Sequence, residues 1–480
     1  MNLITSYGVE FKNHHDDVKR TIEIYRSAVR YLLSVVNERW NDIHVLDNSH
    51  LKLRYVEGLI HGTNKRVPEY DFDSQFVKFP SYFRRSAITM AIGAVSSYRS
   101  NLKRWEDNGR EGTAPSLGVN PNTCPAFYNK NMFQWTKYSC TAKIKLFANN
   151  DWVWRTVRLT KTDADYLRRR LSVNADASLS APVVERRPKG HYYLRFTVAE
   201  TIELSGKPIT EQKVCAVDLG VNTDATCSVL DIHGTVLART FINRGREKDS
   251  VSNALHRVSV FQKTHGSHDS GRLWNVASRR NENLANMAAH DIVAFARANS
   301  CDVIVFEYLD TQGKKHCRKK QKLHHWKQRD IQKTAASLAH KYGMHVAHVS
   351  AWNTSRLAYD GSGNVKRGRG VSDDTPYDVC VFSTGKIYNC DLSASYNIGA
   401  RYFIRELIKE VPEVQTEVSG LGSGTRRTLS SLWLVDKYLR EHDCAPGCLS
   451  GADRLGNRKT CLPSSEDAPY RQQEKVCGVS

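Results

Sequence analysis

Three carboxylates, far apart in the chain, sit where their neighbours predict burial. Asp218 closes the apolar run Val214-Cys-Ala-Val-Asp218, just before Leu219-Gly220, and Glu307 lies near the end of Val303-Ile-Val-Phe-Glu307-Tyr308. Both runs have the composition of buried strands. Asp391 stands in Asn389-Cys-Asp391-Leu-Ser-Ala-Ser-Tyr-Asn397, just before a helical pattern that puts Leu392, Tyr396, Phe403 and Leu407 on one face with Gly399 on the same line. A buried carboxylate is costly unless it is paired, hydrogen-bonded or bound to a metal. Three brought together would repel one another, and divalent cations are the usual remedy. Taken singly, each acid has a plainer reading: Asp218 as a strand-end turn residue, Glu307 as a rim charge, Asp391 as a helix N-cap.

The elements that must position these acids follow one another in order. Val214–Leu219, Ala225–Leu230 and Val236–Asn243 read as three consecutive strands, with His233-Gly234 turning between the last two. Two helical stretches, Val251–His265 and Arg272–Asn299, lead into the strand that carries Glu307, and His345–Ser350 is a further strand. Between Gly313 and Arg329 stand Lys314, Lys315, Arg318, Lys319, Lys320, Lys322, Lys327 and Arg329 without a single acid, with His316, His324, His325 and Trp326 interleaved. A charge run is commonly just solvated. This one follows a buried carboxylate directly, which favours a stretch that grips phosphates, with Trp326 either stacking on a base or anchoring the next helix.

Upstream, Leu3–Phe11 reads as a short strand. Asp16–Trp40 reads as an amphipathic helix with Ile22, Tyr25, Val29, Leu32, Leu33 and Val36 on its apolar face. Ser81–Trp105 is helical and carries Arg84, Arg85, Arg99, Lys103 and Arg104, either a solvated face or a nucleic-acid contact. Gly112–Pro125 has the composition of a linker. Thr141–Leu146 and Trp152–Leu159 alternate with period two, and Val183–Arg187 pairs with His191–Val198 about Pro188-Lys-Gly190, which together predict a small β-barrel.

The 480 residues leave room for about three domains, and 40% hydrophobic content suits globular protein. No apolar run is long enough to span a bilayer. The first residues lack the pattern of a signal peptide, and twelve cysteines without framework spacing fit a reducing, cytoplasmic setting. The net charge is +20. From Val411 onward basic and acidic residues balance at nine each, so the whole excess lies upstream. A basic body of this kind points to a polyanion, most plausibly nucleic acid.

With its Asp-Leu-Gly-Val-Asn, Phe-Glu-Tyr-Leu and Asp-Leu-Ser-Ala-Ser-Tyr-Asn-Ile stretches in this order, the chain resembles the RuvC-like, RNase H-fold core of the TnpB family and the compact type V CRISPR effectors. The resemblance covers roughly Lys213 to Arg405 well and the upstream part in outline. It implies a prokaryotic, Mg-dependent, RNA-guided DNA endonuclease that hydrolyses phosphodiesters with two Mg²⁺ or Mn²⁺ ions about 3.5–4 Å apart. Asp218 would bridge both ions, and Glu307 and Asp391 would complete one site each. The partners implied are a guide RNA and target DNA, and a homodimer is left open. Alternatives are an unguided RNase H-fold nuclease or transposase-like protein, or an RNA-guided DNA-binding repressor.

The fold expected is multidomain α+β: a helical recognition lobe (16–119) and a small β-barrel wedge domain (1–15 plus 120–205), followed by a RuvC-like α/β nuclease core (206–350 plus 391–410). A zinc-ribbon-like insertion (351–390) and a flexible tail (411–480) complete it. Relatives carry two Cys-x-x-Cys pairs in that insertion. Here the first pair is absent and the second keeps only Cys380, so one thiolate plus Cys390 falls short of the four ligands a structural zinc needs. No structural zinc is expected; Tyr359, Val379, Phe382 and Tyr388 would hold the hairpin by packing, with 361–370 mobile. His442, Cys444, Cys448 and Cys461 fit no standard metal module.

Overall fold

The computed structural model describes residues 1–62, 67–136, 139–173, 177–187, 190–266, 269–308, 327–372, 375–376 and 378–442. It is a mixed α+β protein of two compact units, Met1–Ile202 and Glu203–Ser480.

In the first unit, strand β1 (Asn2–Phe11) leads into helix α1 (His15–Glu38), which starts with Asp16 and Asp17 at its positive end. The short helices α2 (Trp40–His44), α3 (Ser49–Ile60) and α4 (Phe72–Gln75) follow, then the long α5 (Ser81–Asp107). The apolar face read for α1 is buried and packs with Phe83, Ala87, Ile88, Ala91 and Val95 of α5. Next come β2 (Phe133–Trp135), β3 (Thr141–Ala148), β4 (Asp151–Arg158), α6 (Lys161–Val173), β5 (Ser178–Leu179), β6 (Val183–Arg187) and β7 (His191–Thr201).

The expected barrel does not close. β7 pairs along its length with β1, from Asn2 opposite Thr201 to Phe11 opposite Tyr192, and also takes β5 and β6. β2, β3 and β4 form a separate sheet. The chain just after β4 touches the first sheet through an isolated bridge of Phe11 with Leu159, and the chain before β2 through one of Ala126 with Val183. A closed barrel needs continuous pairing around the ring, and β2 and β5 span three and two residues. The helices fill the gap: one core takes in Tyr25 and Leu32 of α1, Phe83 of α5, Ile144 of β3 and Phe196 of β7. Residues 188 and 189 of the expected turn at Pro188-Lys-Gly190 lie outside the described residues.

The second unit is built on a five-stranded sheet: β8 (Val214–Asp218), β9 (Ala225–Leu230), β10 (Val236–Ile242), β11 (Val303–Tyr308) and β12 (His345–Ser350), in spatial order β10-β9-β8-β11-β12. β8 is central, antiparallel to β9 and parallel to β11. Helices α7 (Gly245–His265) and α8 (Gly271–Ala298) come between β10 and β11, and α9 (Gln328–Lys341) between β11 and β12. The inner strands β8, β9 and β11 are apolar on both faces because both are covered, whereas the edge strands β10 and β12 are partly exposed. Val214 and Ala216 of β8, with Val303 and Val305 of β11, pack under α10 (Cys390–Glu410). Cys215, Val217, Ile304 and Phe306 point the other way, into Ala288, Ile292 and Val293 of α8 and Ala335 of α9.

Strands β13 (Lys366–Arg367), β14 (Val379–Val381) and β15 (Ile387–Asn389) form a small sheet just before α10. Its core is Ala358, Cys380, Phe382 and Cys390, with Tyr359, Val365 and Tyr388 against it. Tyr359 is the hub, its ring 5.6 Å from Phe382, 5.2 Å from Tyr388 and 5.3 Å from Tyr396. Val379 takes no part, because strand alternation turns Cys380 and Phe382 inward instead. The stretch expected to be mobile is tied down: Val365 bonds Arg356, β13 pairs with β14, and Gly361 adopts φ +80° with Ser430 close against it.

Residues 411–441, expected to be tail, also belong to the core. Helices α11 (Glu413–Glu417) and α12 (Leu429–Glu441) bury Val411, Val414, Leu421, Leu429, Leu432 and Val435 with α10. The intervening Gly/Ser-rich stretch breaks the helical periodicity, which hides the apolar spacing on either side. Residues 443–480, with Cys444, Cys448 and Cys461, lie outside the described residues.

Candidate active site

The parity of the strands decides where the acids point. Val214 and Ala216 face α10, so Asp218, two further on, leaves β8 on that face. On β11, Val303 and Val305 face the same way, and so does Glu307. The parallel register pairs Phe306 with Val217, and one more step along it brings Glu307 alongside Asp218. Asp391 enters from above, in the first turn of α10. The N-cap of that helix is Asn389, whose side chain accepts from the Leu392 N–H at 3.0 Å; this corrects the capping reading of Asp391 and leaves its carboxylate free of that task.

All three carboxyls titrate above the ordinary carboxylate range. For Asp218 burial contributes most, then the negative charges of Glu307 and Asp391, against a smaller opposing effect of Arg367. Burial also raises Glu307, opposed by the Thr354 hydroxyl and the Arg401 charge. For Asp391 burial comes first, then Asp378, with Arg367 opposing. The site by itself therefore favours the protonated acids, an effect that Arg367 and Arg401 offset only in part.

Among the described residues, no group of three or more His, Cys, Asp or Glu is gathered tightly enough to hold a metal ion as it stands. The donor set nevertheless fits one: hard carboxylate oxygens, mutually repelling, in a partly dry site. Glu307 is 7% exposed and its Oε1 is buried without a hydrogen-bond partner, an acceptor available to a cation.

Of the basic residues read as nucleic-acid contacts, Lys314, Lys315, Arg318, Lys319, Lys320, Lys322 and Trp326 lie outside the described residues. Lys327 pairs with Asp330 at 2.9 Å and Arg329 is exposed. Arg84 is corrected: its guanidinium is buried among Glu57 (3.5 Å), Asp73 (3.3 Å) and His61 (3.1 Å), which leaves no surface for a nucleic acid. Arg85 pairs with Glu57 at 3.3 Å, and Arg99 donates to the Asn37 side chain at 2.8 Å. Lys103 and Arg104 are exposed.

Three residues near the acids escaped the sequence reading. Arg367 opposes the charge of Asp218 and Asp391. Thr354 stands beside Glu307 and donates to the Ala351 carbonyl at 3.0 Å. Arg401, buried in α10, has Glu307 as its carboxylate neighbour. For Arg401 alone there was a signal: a lone charge in the apolar stretch Ile398-Gly-Ala-Arg401-Tyr-Phe403, on a helix whose other charges are Asp391 at its start and a cluster from Arg405 onward.

Residues 5–148 match the Aq_aa04 family. No curated protein matches the sequence. Among solved structures, the chain is similar to a Cas12f1 in complex with sgRNA and target DNA, at 13% identity and TM-score 0.48 over 88% of this chain and 81% of that one. It is also similar to C2c1 of Alicyclobacillus acidoterrestris in complex with single-guide RNA, at 11% identity and TM-score 0.42 over 81% and 66%. A CRISPR-Cas12f ternary complex is a third, at 13% identity and TM-score 0.30 over 80% of each chain.

Proposed function

We propose that this protein is an RNA-guided DNA endonuclease that hydrolyses phosphodiesters at a single RuvC-like site. Asp218, Glu307 and Asp391 would hold two Mg²⁺ or Mn²⁺ ions there. One observation carries this reading: Asp218 and Glu307 leave neighbouring parallel strands on the face covered by α10, and Asp391 in the first turn of α10 adds its charge to theirs. Bound between such carboxylates, divalent cations supply an activated water and neutralise charge on the phosphate and the departing oxygen. The chain's own groups do the rest. Asp218, on the central strand, feels both other acids, which suits the shared ligand. Glu307 keeps one oxygen without a hydrogen bond. Arg367, which acts on Asp218 and Asp391, brings a guanidinium suited to a phosphate oxygen.

The basic excess upstream of residue 411, with Lys103 and Arg104 exposed on α5, supports nucleic-acid partners. In a guided enzyme base pairing reads the sequence, while the protein reads duplex shape and a short flanking motif. Two measurements test the reading. The protein is expressed with its native flanking DNA, and the RNA that copurifies is sequenced; a discrete structured RNA with one variable end is expected. Asp218→Asn should then keep that RNA and lose Mg²⁺-dependent cleavage by about a thousandfold or more. Cleavage that survives Asp218→Asn would sink the site assignment, and random or absent RNA would sink the guide.

A further inference from the structure

Helix α10 is buried all round from Leu392 to Ile404, yet it carries a polar ridge. Ser393, Asn397 and Arg401 stand four residues apart on one line, each no more than 4% exposed. Asn397 donates to the Thr354 and Leu357 carbonyls at 3.0 and 2.9 Å and accepts from the Leu429 N–H at 3.1 Å. Arg401 goes further. It donates to Ser350 and Trp352 carbonyls at 2.8 and 2.9 Å, and to Thr425 and Arg427 carbonyls at 2.8 and 3.0 Å.

Four N–H bonds to carbonyls are nearly all a guanidinium can make. None of the four goes to Glu307. An arginine placed to neutralise a carboxylate would grip it bidentately and occupy its oxygens. Here all four bonds go to backbone carbonyls instead. The same bonds fix the exit of β12, and the chain from there reaches Thr354 beside Glu307.

We propose that Arg401 is a positioning residue for the metal-binding acids: its bonds to the Ser350 and Trp352 carbonyls anchor the 350–354 segment that leaves β12, the strand on which Val349 lies opposite Glu307. This rests on the nuclease reading above. It also explains why a charged residue is kept in the interior of α10, where a leucine or methionine would fill the same space at less cost in desolvation.

The test is Mn²⁺ binding to the full chain, followed by calorimetry without DNA, for Arg401→Met, Arg401→Lys and Leu432→Ala. Leu432 is a core residue of α12 outside the ridge, so its variant controls for loss of stability alone. Arg401→Met should weaken Mn²⁺ binding by about 10–100-fold, the range for groups that support metal ligands. Arg401→Lys, which keeps the charge but reaches fewer carbonyls, should recover part of it, and Leu432→Ala should bind as the unaltered protein does. In cleavage, Arg401→Lys should lower kcat and leave KM for DNA unchanged. Unaltered Mn²⁺ affinity in Arg401→Lys and in Arg401→Met, where the latter folds, overturns the proposal. An equal loss in Leu432→Ala overturns it too, since stability alone would then explain the effect. Asp218→Asn run alongside separates the two levels: if it binds Mn²⁺ and cuts as before, the nuclease site itself is misassigned.

Discussion

Asp218, Glu307 and Asp391 show what a site for divalent cations costs the protein that carries it. Each carboxyl is pushed up, by burial first and then, for Asp218, by the other two acids. A raised folded pKa means that the fold favours the protonated acid. The stability contributed is whole below the unfolded value, about 4, and is lost as pH rises through the folded value. In EDTA the protein should therefore lose stability from about pH 4 upward. Asp218→Asn, which removes one charge at constant shape, should raise Tm in EDTA at pH 8, and the gain should narrow toward pH 4. Thermal melts across that range decide the matter; equal Tm values at pH 8 would mean that the acids do not burden one another. Arg84 teaches the converse. Its place in a basic run suggested a surface role, but the fold surrounds it with Glu57, Asp73 and His61. A side chain's neighbours along the chain say little about its neighbours in space.

Helix α10 is the element on which the second unit depends. It opens at Asn389, holds Asp391 in its first turn and lies so close to the sheet that a Cβ at Gly399 would come 2.8 Å from Leu230 Cδ1 and 3.2 Å from Ala216 Cβ. Leu230 can swing aside, whereas Ala216 is part of the central strand and cannot. Gly399→Val should thus cost about 2–3 kcal/mol by overpacking, read as a lower denaturant midpoint with unchanged slope. An unmoved midpoint would show that α10 stands off from β8. The glycine's place on the apolar line of the helix was visible in the sequence. Its reason, the approach of two strands, was not. The small sheet before α10 follows similar logic: its aromatic hub was legible as a cluster of large side chains, but the exclusion of Val379 depends on strand parity.

At the scale of the whole molecule, the second unit ends later than composition suggests. Helices α11 and α12 complete the core over α10; Arg401 bonds to the segment that joins them and Asn397 to Leu429 at the start of α12. A chain ending at residue 410 should leave the Asn397 and Arg401 ridge of α10 against water and lose cooperative unfolding. A chain ending at residue 442 should keep it. Circular dichroism melts of the two truncations provide the comparison, and a cooperative transition in the shorter one would reduce α12 to an accessory. The first unit departs from expectation for a related reason. Period-two alternation marked β3, β4, β6 and β7 but not the short β2 and β5, and whether strands close into a barrel depends on which edges meet; here α1 and α5 occupy part of that space.

The sequence by itself determined the periodic features: the strands that carry Asp218 and Glu307, the helix behind Asp391, the apolar face of α1 and the surplus of positive charge. Each of these is written in neighbouring residues, because side-chain direction repeats every two residues in a strand and every 3.6 in a helix. Only the tertiary structure decided what lies between distant segments. It set Glu307 alongside Asp218, one step past the Phe306–Val217 pair, spent the Arg401 guanidinium on carbonyls from two separate loops, enclosed Arg84, left the sheets of the first unit open and drew residues 411–441 into the core. The physical reason is common to all five. Burial and pairing are properties of surfaces brought together by the fold, and those surfaces come from parts of the chain that share no local pattern.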